Sequence, residues 1–185
     1  EILQQLRHSE DRLRQLAGDH VERNKCPHCQ LIIDHGIGAH KQNNKWLSER
    51  HNPETHLIPN ILKATTEEPV KIFGTNWPTE DGTCIRDYVH VVDLIEAHIL
   101  ALQNLPDHKH EIINLGSGSG YSVMQVIAAA EKAVGHQIPS VASHRRAGDP
   151  AILIADVAKA KSYLQWQPNR DINQMVFDTW SAQTR

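Results

Sequence analysis

The chain has 185 residues, of which 39% are hydrophobic and 22% are charged, and its formal net charge is -3. This length allows one folded domain, with or without an appendage, and excludes a mere polar tail. Because positive and negative side chains are interspersed, a general electrostatic attraction to nucleic acid or anionic lipid is excluded, and any anion must be bound by particular residues.

The sequence predicts a cytoplasmic protein. No apolar stretch approaches the roughly 18 to 20 residues needed to cross a bilayer, and the first residues are too charged for a secretory signal. The three cysteines are an odd number, and two of them form Cys26-Pro27-His28-Cys29. This pattern argues against a secreted disulfide framework.

Residues 1–46 form a first part of distinct composition. No aromatic residue precedes Trp46, so this part needs outside support for a core. Leucines at positions 3, 6, 13 and 16 follow a helical spacing and predict a helix over residues 1–17 with one apolar docking face. We therefore divide the chain into a helical head, 1–46, and a second domain, 47–185.

The head also carries a cluster of possible metal ligands. Cys26, Cys29, His35 and His40 supply the four soft or borderline ligands of a tetrahedral zinc site. Zinc would provide folding free energy that the small apolar content cannot provide. Two alternatives stay open: a thioredoxin-like redox motif, although the residues before it are too polar for the required strand, and a chance association in a chain with 13 histidines.

After Trp46 the pattern predicts an α/β fold, in which short apolar strands alternate with amphipathic helices. The predicted strands are Val70–Phe73, Arg86–Val91, Glu111–Leu115 and Ala151–Ala155. The predicted helices are Thr55–Thr65, Val92–Leu105, Ser122–Val134, Val157–Leu164 and Ile172–Ala182. Ser122, Asp156 and Asp171 are expected to cap helices, and Asp93 is expected to cap the helix that follows His90.

A glycine-rich turn follows the third predicted strand. Gly116, Gly118 and Gly120 have the spacing G-x-G-x-G, whereas a dinucleotide fingerprint has G-x-G-x-x-G and an acidic residue about 20 residues later. We therefore interpret the turn as a tight connection between a strand and a helix.

Five motifs in the second domain carry a family resemblance. "ETHLIP", "KIFGTNWPTEDGTCIRDYVHVVDLIEAH", "INLGSGSGYSV", "RRAGDPA" and "ADVAKAKSYLQWQP" occur in the order found in the C-terminal half of UDP-glucose 4-epimerases. These enzymes are extended short-chain dehydrogenase/reductases that bind NAD and a UDP-hexose. The resemblance covers residues 47–185 and implies a substrate-binding half with a mixed sheet and helices.

The resemblance also implies the site residues. Arg86 and Arg146 match the arginines that meet the diphosphate, and Asp149 matches the aspartate that accepts ribose hydroxyls. The other matching positions are Lys71, Ile72 and Phe73 at the uracil, His56 and Leu57 near the phosphates and sugar, Tyr88 of the "RDY" motif, and Leu153, where the family commonly has an aromatic residue bordering the hexose. By themselves, Arg86-Asp87 could be a local ion pair and Arg145-Arg146 a solvated surface pair.

Parts that epimerisation requires are missing from this sequence. The resemblance implies a nucleotide-binding sheet and a Tyr-x-x-x-Lys pair, yet Tyr88, Tyr121 and Tyr163 are followed four residues later by valine, glutamine and glutamine. We therefore expect a truncated or rearranged epimerase that binds a UDP-sugar, has no catalytic residues of its own and exposes apolar surface that favours self-association. The alternatives are a binding module without catalysis and a zinc-dependent regulatory protein. The preference between glucose and an N-acetylated sugar is open.

Overall fold

A computed structural model describes residues 36–37, 39–42, 45–48, 54–104 and 111–184, the first three ranges as backbone. Within these ranges the strands are β1 Gly36–Ile37, β2 Ala39–Gln42, β3 Lys45–Ser48, β4 Val70–Phe73, β5 Ile85–Arg86, β6 Val89–His90, β7 Tyr121–Ser122, β8 Ser140–Ser143 and β9 Ile152–Leu153. The helices are α1 Leu57–Leu62, α2 Val91–Asn104, α3 Val123–Val134, α4 Ala158–Leu164 and α5 Ile172–Gln183.

The strands form small sheets that contain both parallel and antiparallel pairs. β2 and β3 form an antiparallel hairpin, and β1 lies parallel to β6. β4 lies parallel to β8, while β5 lies between antiparallel β7 and parallel β9. This arrangement, with helices between the strands, confirms the predicted α/β class and mixed sheet. The predicted helix over residues 1–17 lies outside the described residues.

The larger core cluster joins α1, β4, α3 and α5. Helix α3 contributes apolar residues at helical spacing, and all of them are at most 7% exposed: Val123, Val126, Ile127 and Ala130. Met175 and Val176 of α5 belong to the same cluster. Full burial of one such large side chain stabilises a fold by about 1.5 to 3 kcal/mol, so this cluster holds β4 in place.

A second, smaller cluster joins β6, α2 and α4. Its buried members are Val89, Leu94, Ala97, Ala160, Leu164 and Trp166. The indole Nε1 of Trp166 donates a hydrogen bond of 3.0 Å to the backbone oxygen of Asp93. This bond fixes the end of α4 against the first turn of α2.

A buried histidine links β6 to α5. His90 is 1% exposed, its Nδ1 accepts from the Val92 N–H at 3.1 Å, and its Nε2 lies 3.1 Å from Asp178 Oδ2. Burial lowers the pKa of His90, against the opposing effect of the Asp178 carboxylate. The histidine therefore has a structural role.

Asp93 is fully buried, and the prediction that it caps α2 is wrong. Its carboxylate accepts hydrogen bonds from the backbone N–H groups of Asn169 and Arg170, at 3.1 and 3.0 Å, and from the Arg170 guanidinium. Asp93 thereby holds the loop that precedes α5. A carboxylate in the first turn can reach a neighbouring loop as well as its own helix, and here the loop supplies a cation.

The helix-capping predictions at Ser122 and Asp171 are confirmed. The Ser122 hydroxyl accepts from the Gln125 N–H at 3.1 Å, and Gln125 Oε1 accepts from the Ser122 N–H at 2.8 Å, which makes a capping box. Asp156 lies one residue before the N-cap of α4 and accepts from the Ala158 N–H at 3.0 Å. Within the described residues, no helix has the length and apolarity needed to cross a bilayer.

Two strand predictions are corrected. The segment 86–91 is divided between β5 and β6, because these two strands pair with different neighbours. Glu111–Leu115 is not a strand: among the described residues no backbone ladder forms with it, and Ile112 is 73% exposed. An apolar run becomes a strand only where another strand supplies hydrogen bonds.

Candidate functional site

Arg86 and Asp149 lie within ion-pair distance at the end of β5. Arg86 Nη2 is 3.7 Å from Asp149 Oδ1, and Arg86 Nη1 donates to the Ile85 oxygen at 2.8 Å. Their side chains are 22% and 36% exposed, so solvent screens the pair and its contribution to stability is small. A guanidinium has five N–H donors, and the described residues engage only part of them. Arg86 therefore retains donors for an added anion.

The guanidinium of Arg146 lies over an aromatic ring at the end of β4. Its Cζ is 3.9 Å from the centroid of the Phe73 ring, a cation–π contact. Register explains the approach, because Phe73 pairs with Ser143 of β8 and Arg146 follows three residues later. Among the described residues, no acceptor hydrogen-bonds to the Arg146 guanidinium. Its donors consequently face solvent.

A backbone contact ties these two features together. The Asp149 N–H donates to the Arg146 oxygen at 3.3 Å, so the turn 146–149 connects Arg146 to the residue whose carboxylate lies near Arg86. We call Phe73, Arg86, Arg146 and Asp149 the arginine surface. It combines two cations able to bind a diphosphate with a carboxylate able to accept hydroxyl groups.

The preceding arginine is held by a different set of groups. Arg145 Cζ lies 3.9 Å from the Trp77 ring centroid, and its Nε donates to Asn76 Oδ1 at 2.8 Å. Its Nη2 also donates to the Asn76 backbone oxygen. Trp77 Nε1 in turn donates to the Phe73 oxygen at 3.1 Å. Arg145 is therefore anchored to the loop after β4, in contrast to Arg146.

Asp87, next to Arg86, organises the glycine-rich turn. Its Oδ1 accepts from the Ser117 N–H and hydroxyl at 2.7 and 2.6 Å, and its Oδ2 accepts from the Gly118 and Ala155 N–H groups, each at 3.1 Å. A Cβ at Gly116 would come within 2.4 Å of Asp87 Oδ2, so a residue with a side chain does not fit at this position. Arg86-Asp87 is thus not a local ion pair.

The same contacts decide what the glycine turn can bind. The N–H groups of Ser119 and Gly120 donate to the Ser117 hydroxyl, at 3.2 and 3.1 Å, while those of Ser117 and Gly118 meet Asp87. A carboxylate of the protein therefore occupies the place that a pyrophosphate would need. The turn does not fit the phosphates of NAD, as the glycine spacing predicted.

The predicted uracil residues face two directions. Lys71 is exposed on β4 and Phe73 is half-buried, whereas the Ile72 side chain is 6% exposed and belongs to the larger core cluster. Tyr88 is also in that core, at 7% exposure, and burial raises the pKa of its phenol. The side chains of Ile72 and Tyr88 therefore pack the fold beneath the site.

The remaining predicted residues lie on separate elements. His56 is the N-cap of α1, and its N–H and Nδ1 each lie 2.9 Å from Glu54 Oε1. Leu57 packs against the larger core cluster. Leu153 is 58% exposed and lies opposite Arg86 in the β5–β9 pair, so it borders the arginine surface.

With this geometry described, comparison with known proteins gives the family. Residues 13–116, more than half of the chain, match the NAD dependent epimerase/dehydratase family. The chain belongs to the NAD dependent epimerase/dehydratase family. The matched range begins well before residue 47 and so includes the Cys26-Pro27-His28-Cys29 segment.

Individual epimerases resemble the chain over most of its length. UDP-glucose 4-epimerase of Corynebacterium glutamicum is 49% identical over 138 residues, which is 73% of this chain and 42% of that protein. The Bifidobacterium longum UDP-glucose 4-epimerase, solved in complex with NAD+ and UDP, superposes with a TM-score of 0.73 at 37% identity, over 81% of this chain and 45% of that one. The Stenotrophomonas maltophila enzyme, solved with NAD and formylated UDP-arabinopyranose, gives 0.73 at 38% identity, over 81% of this chain and 45% of that one. The chain thus spans less than half the length of these relatives.

The predicted zinc ligands lie largely outside the described residues. Cys26, Cys29 and His35 are outside the described residues, and His40 is described only as a backbone position in β2. Among the described side chains, no group of three or more histidine, cysteine or acidic residues is placed to hold a metal ion. The third cysteine, Cys84, packs as a small apolar residue against the larger core cluster.

Sequence reasoning missed the anchor around Arg145 and the role of Asp87. Both Asn76 and Trp77 stand in the motif "KIFGTNWPTEDGT", but the sequence gives no signal that they meet an arginine 69 residues later. The adjacent arginines were a visible pair, yet their different partners depend on the β4–β8 register. For Asp87, the useful signal was a glycine-serine turn rich in N–H donors.

Proposed function

We propose that the arginine surface binds the diphosphate and ribose of a UDP-sugar, and that the chain is the sugar-nucleotide-binding part of a protein related to UDP-glucose 4-epimerases. One observation carries this proposal: Asp149 contacts Arg86 through its carboxylate and Arg146 through its backbone N–H. Membership of the family and the UDP bound by the Bifidobacterium longum relative support the same ligand class.

The chemistry of the three groups matches the ligand. A diphosphate spreads negative charge over several oxygens, and planar guanidinium forks bind such oxygens in pairs. A ribose presents two neighbouring hydroxyls, which a carboxylate such as Asp149 can accept together. The weak ion pair between Arg86 and Asp149 can open towards the ligand at little cost, since both side chains are already partly solvated.

We also propose that this chain alone does not epimerise the sugar. The 185 residues contain no Tyr-x-x-x-Lys pair, and the glycine turn is filled by Asp87. NAD would supply a reversible hydride acceptor in the whole family protein, whereas the residues described here would bind and orient the nucleotide. Leu153, at the predicted border of the hexose, is exposed and does not select one sugar. Titration with UDP-sugars that carry different hexoses would measure the sugar preference.

Calorimetric titration tests the binding proposal. We expect UDP and UDP-glucose to bind with similar affinity and uridine to bind much more weakly, because the arginines bind phosphate. Arg146→Met should weaken UDP binding by roughly 10- to 100-fold, as expected for loss of a charge-assisted hydrogen bond of about 1.5 to 3 kcal/mol. Lys132→Met, which removes an exposed cation from the last turn of α3, is the matched control.

The outcomes are distinct. Unchanged UDP affinity in both Arg146→Met and Arg86→Met would exclude the arginine surface as the phosphate site. An equal loss in the Lys132→Met control would mean that net charge, rather than this surface, determines binding. Separately, incubation with UDP-glucose and NAD should yield no UDP-galactose, and measurable conversion would overturn the second proposal.

A further inference from the structure

Two arginines adjacent in sequence stack on two aromatic rings of the same segment. Arg145 and Arg146 each place Cζ 3.9 Å from a ring centroid, over Trp77 and Phe73 respectively. They differ in their other contacts. The Arg145 guanidinium donates from two nitrogens to Asn76, whereas no described acceptor engages that of Arg146. One arginine is anchored to the protein and the other keeps its donors available.

The anchor of Arg145 is itself held by hydrogen bonds and close contacts. The Trp77 indole donates to the Phe73 oxygen at 3.1 Å, and the Trp77 N–H donates to the Gly82 oxygen at 2.9 Å. Gly74 has a φ of +88°, and a Cβ there would lie 2.5 Å from Trp77 Nε1 and 2.6 Å from Arg145 Cγ. Only a glycine leaves room for the indole and the arginine to approach the strand end together.

We propose that Arg145 is a positioning residue, which by binding Asn76 and Trp77 places Arg146 on Phe73 in the orientation needed for a diphosphate. The expected effect on UDP binding rests on the proposed function, whereas the placement of Arg146 by Arg145 does not. Consecutive Cα atoms are separated by about 3.8 Å, so an anchored Arg145 restricts where Arg146 can begin. The anchor also joins the loop after β8 to the loop after β4.

Preorganisation determines the expected effect on binding. An Arg146 side chain that must be ordered on binding lowers the affinity for the ligand. We expect Arg145→Met to weaken UDP binding by about tenfold, which corresponds to about 1.4 kcal/mol. Arg145→Lys keeps a cation near Trp77 but loses the planar fork, so we expect an intermediate affinity. Lys132→Met again controls for the lost charge.

A double-mutant cycle separates positioning from direct contact with the ligand. Asn76 is uncharged, so a direct electrostatic role of Arg145 predicts wild-type affinity in Asn76→Ala and the same affinity in the double variant as in Arg145→Met. Positioning predicts that Asn76→Ala weakens UDP binding and that Arg145→Met adds little to it. Additive losses, or wild-type affinity in either Asn76→Ala or Arg145→Met, would overturn the proposal.

A measurement without ligand tests the geometry independently. Protons of the Arg146 side chain that lie over the Phe73 ring should show a ring-current shift, identified by its disappearance in Phe73→Leu. Positioning predicts that Arg145→Met also reduces this shift, with the melting temperature as a check on folding. A shift retained in a folded Arg145→Met protein refutes the inference. If wild-type protein fails to bind UDP, the proposed function fails, and this measurement still decides the positioning role.

Discussion

Replacing Asp87 by asparagine should destabilise the fold by a predictable amount. The Asp87 carboxylate accepts four hydrogen bonds, two on each oxygen, from the glycine turn and from the residue that follows Ile154. Asparagine has one acceptor oxygen, so an amide N–H would face two of these donors. Ser117 can keep its bonds to the remaining oxygen, but the N–H groups of Gly118 and Ala155 lose theirs.

The magnitude follows from the exposure of the donors. Gly118 is exposed, so water can satisfy its N–H, and this loss is small. The Ala155 N–H is partly buried and loses a bond to a charged group. The two bonds that Ser117 keeps also become weaker, because the amide oxygen is neutral. From these losses together, we expect Asp87→Asn to lower the free energy of unfolding by about 2 to 3 kcal/mol. For a urea m-value of about 2 kcal/mol/M, the midpoint should fall by about 1 to 1.5 M.

Urea unfolding followed by far-ultraviolet circular dichroism measures this change. The matched control is Asp156→Asn, which removes the same charge from an exposed aspartate with one hydrogen bond, to the Ala158 N–H at 3.0 Å. We expect the control to change the free energy of unfolding by about 0.5 kcal/mol or less. A midpoint for Asp87→Asn equal to that of the control would refute the view that this carboxylate organises the turn.

Further predictions concern a histidine, a glycine and the head. Because burial lowers the pKa of His90, the unfolded chain binds the proton more readily, so the free energy of unfolding should fall as pH falls through about 6.5. His90→Gln should reduce the slope of the free energy of unfolding against pH by up to about 1.4 kcal/mol per pH unit. An unchanged slope would contradict the lowered pKa of His90. Asp178, Asp93 and Arg170 are the charged groups that act on this site. Gly74→Ala should lower the melting temperature and weaken UDP binding, since its Cβ has no room, and a wild-type melting temperature would contradict the clash. The zinc interpretation of Cys26, Cys29, His35 and His40 predicts about one equivalent of metal per chain, lost in a Cys26→Ser variant; a metal-free, fully folded chain would remove that interpretation.

The sequence predicted the helices better than the strands. Helix α3 was readable because its apolar residues recur at helical spacing and Ser122 supplies a side-chain cap. The strand β8 was missed, since Ser140–Ser143 is largely exposed and carries no apolar alternation. Its place depends on pairing with β4, which lies 70 residues earlier in register. The local spacing of apolar residues indicates which side of a helix or strand is buried, whereas the pairing partner of a strand is determined by the whole fold.

The site was predictable to the extent that a family resemblance supplied it. Arg86, Arg146 and Asp149 were named from motifs, and the fold brings them to one surface. The resemblance named Ile72 and Tyr88 with equal weight, although burial assigns their side chains to the core. The support provided by Trp77, Asn76 and Arg145 arises from contacts between distant segments, so only the three-dimensional arrangement reveals it.

Polar contacts join elements of the two apolar clusters, and they have a consequence for motion. His90 with Asp178, and Asp93 with Arg170, join β6 and α2 to α5 and the loop before it. The contact between His90 and Asp178 depends on the protonation of His90, whereas the apolar packing within each cluster does not. We therefore expect two units of unequal protection in amide hydrogen exchange, with the Trp166 unit opening first under mild acid. Phe73 extends from the strand held by the other unit, so we expect this sub-global opening to leave its contact with Arg146 in place.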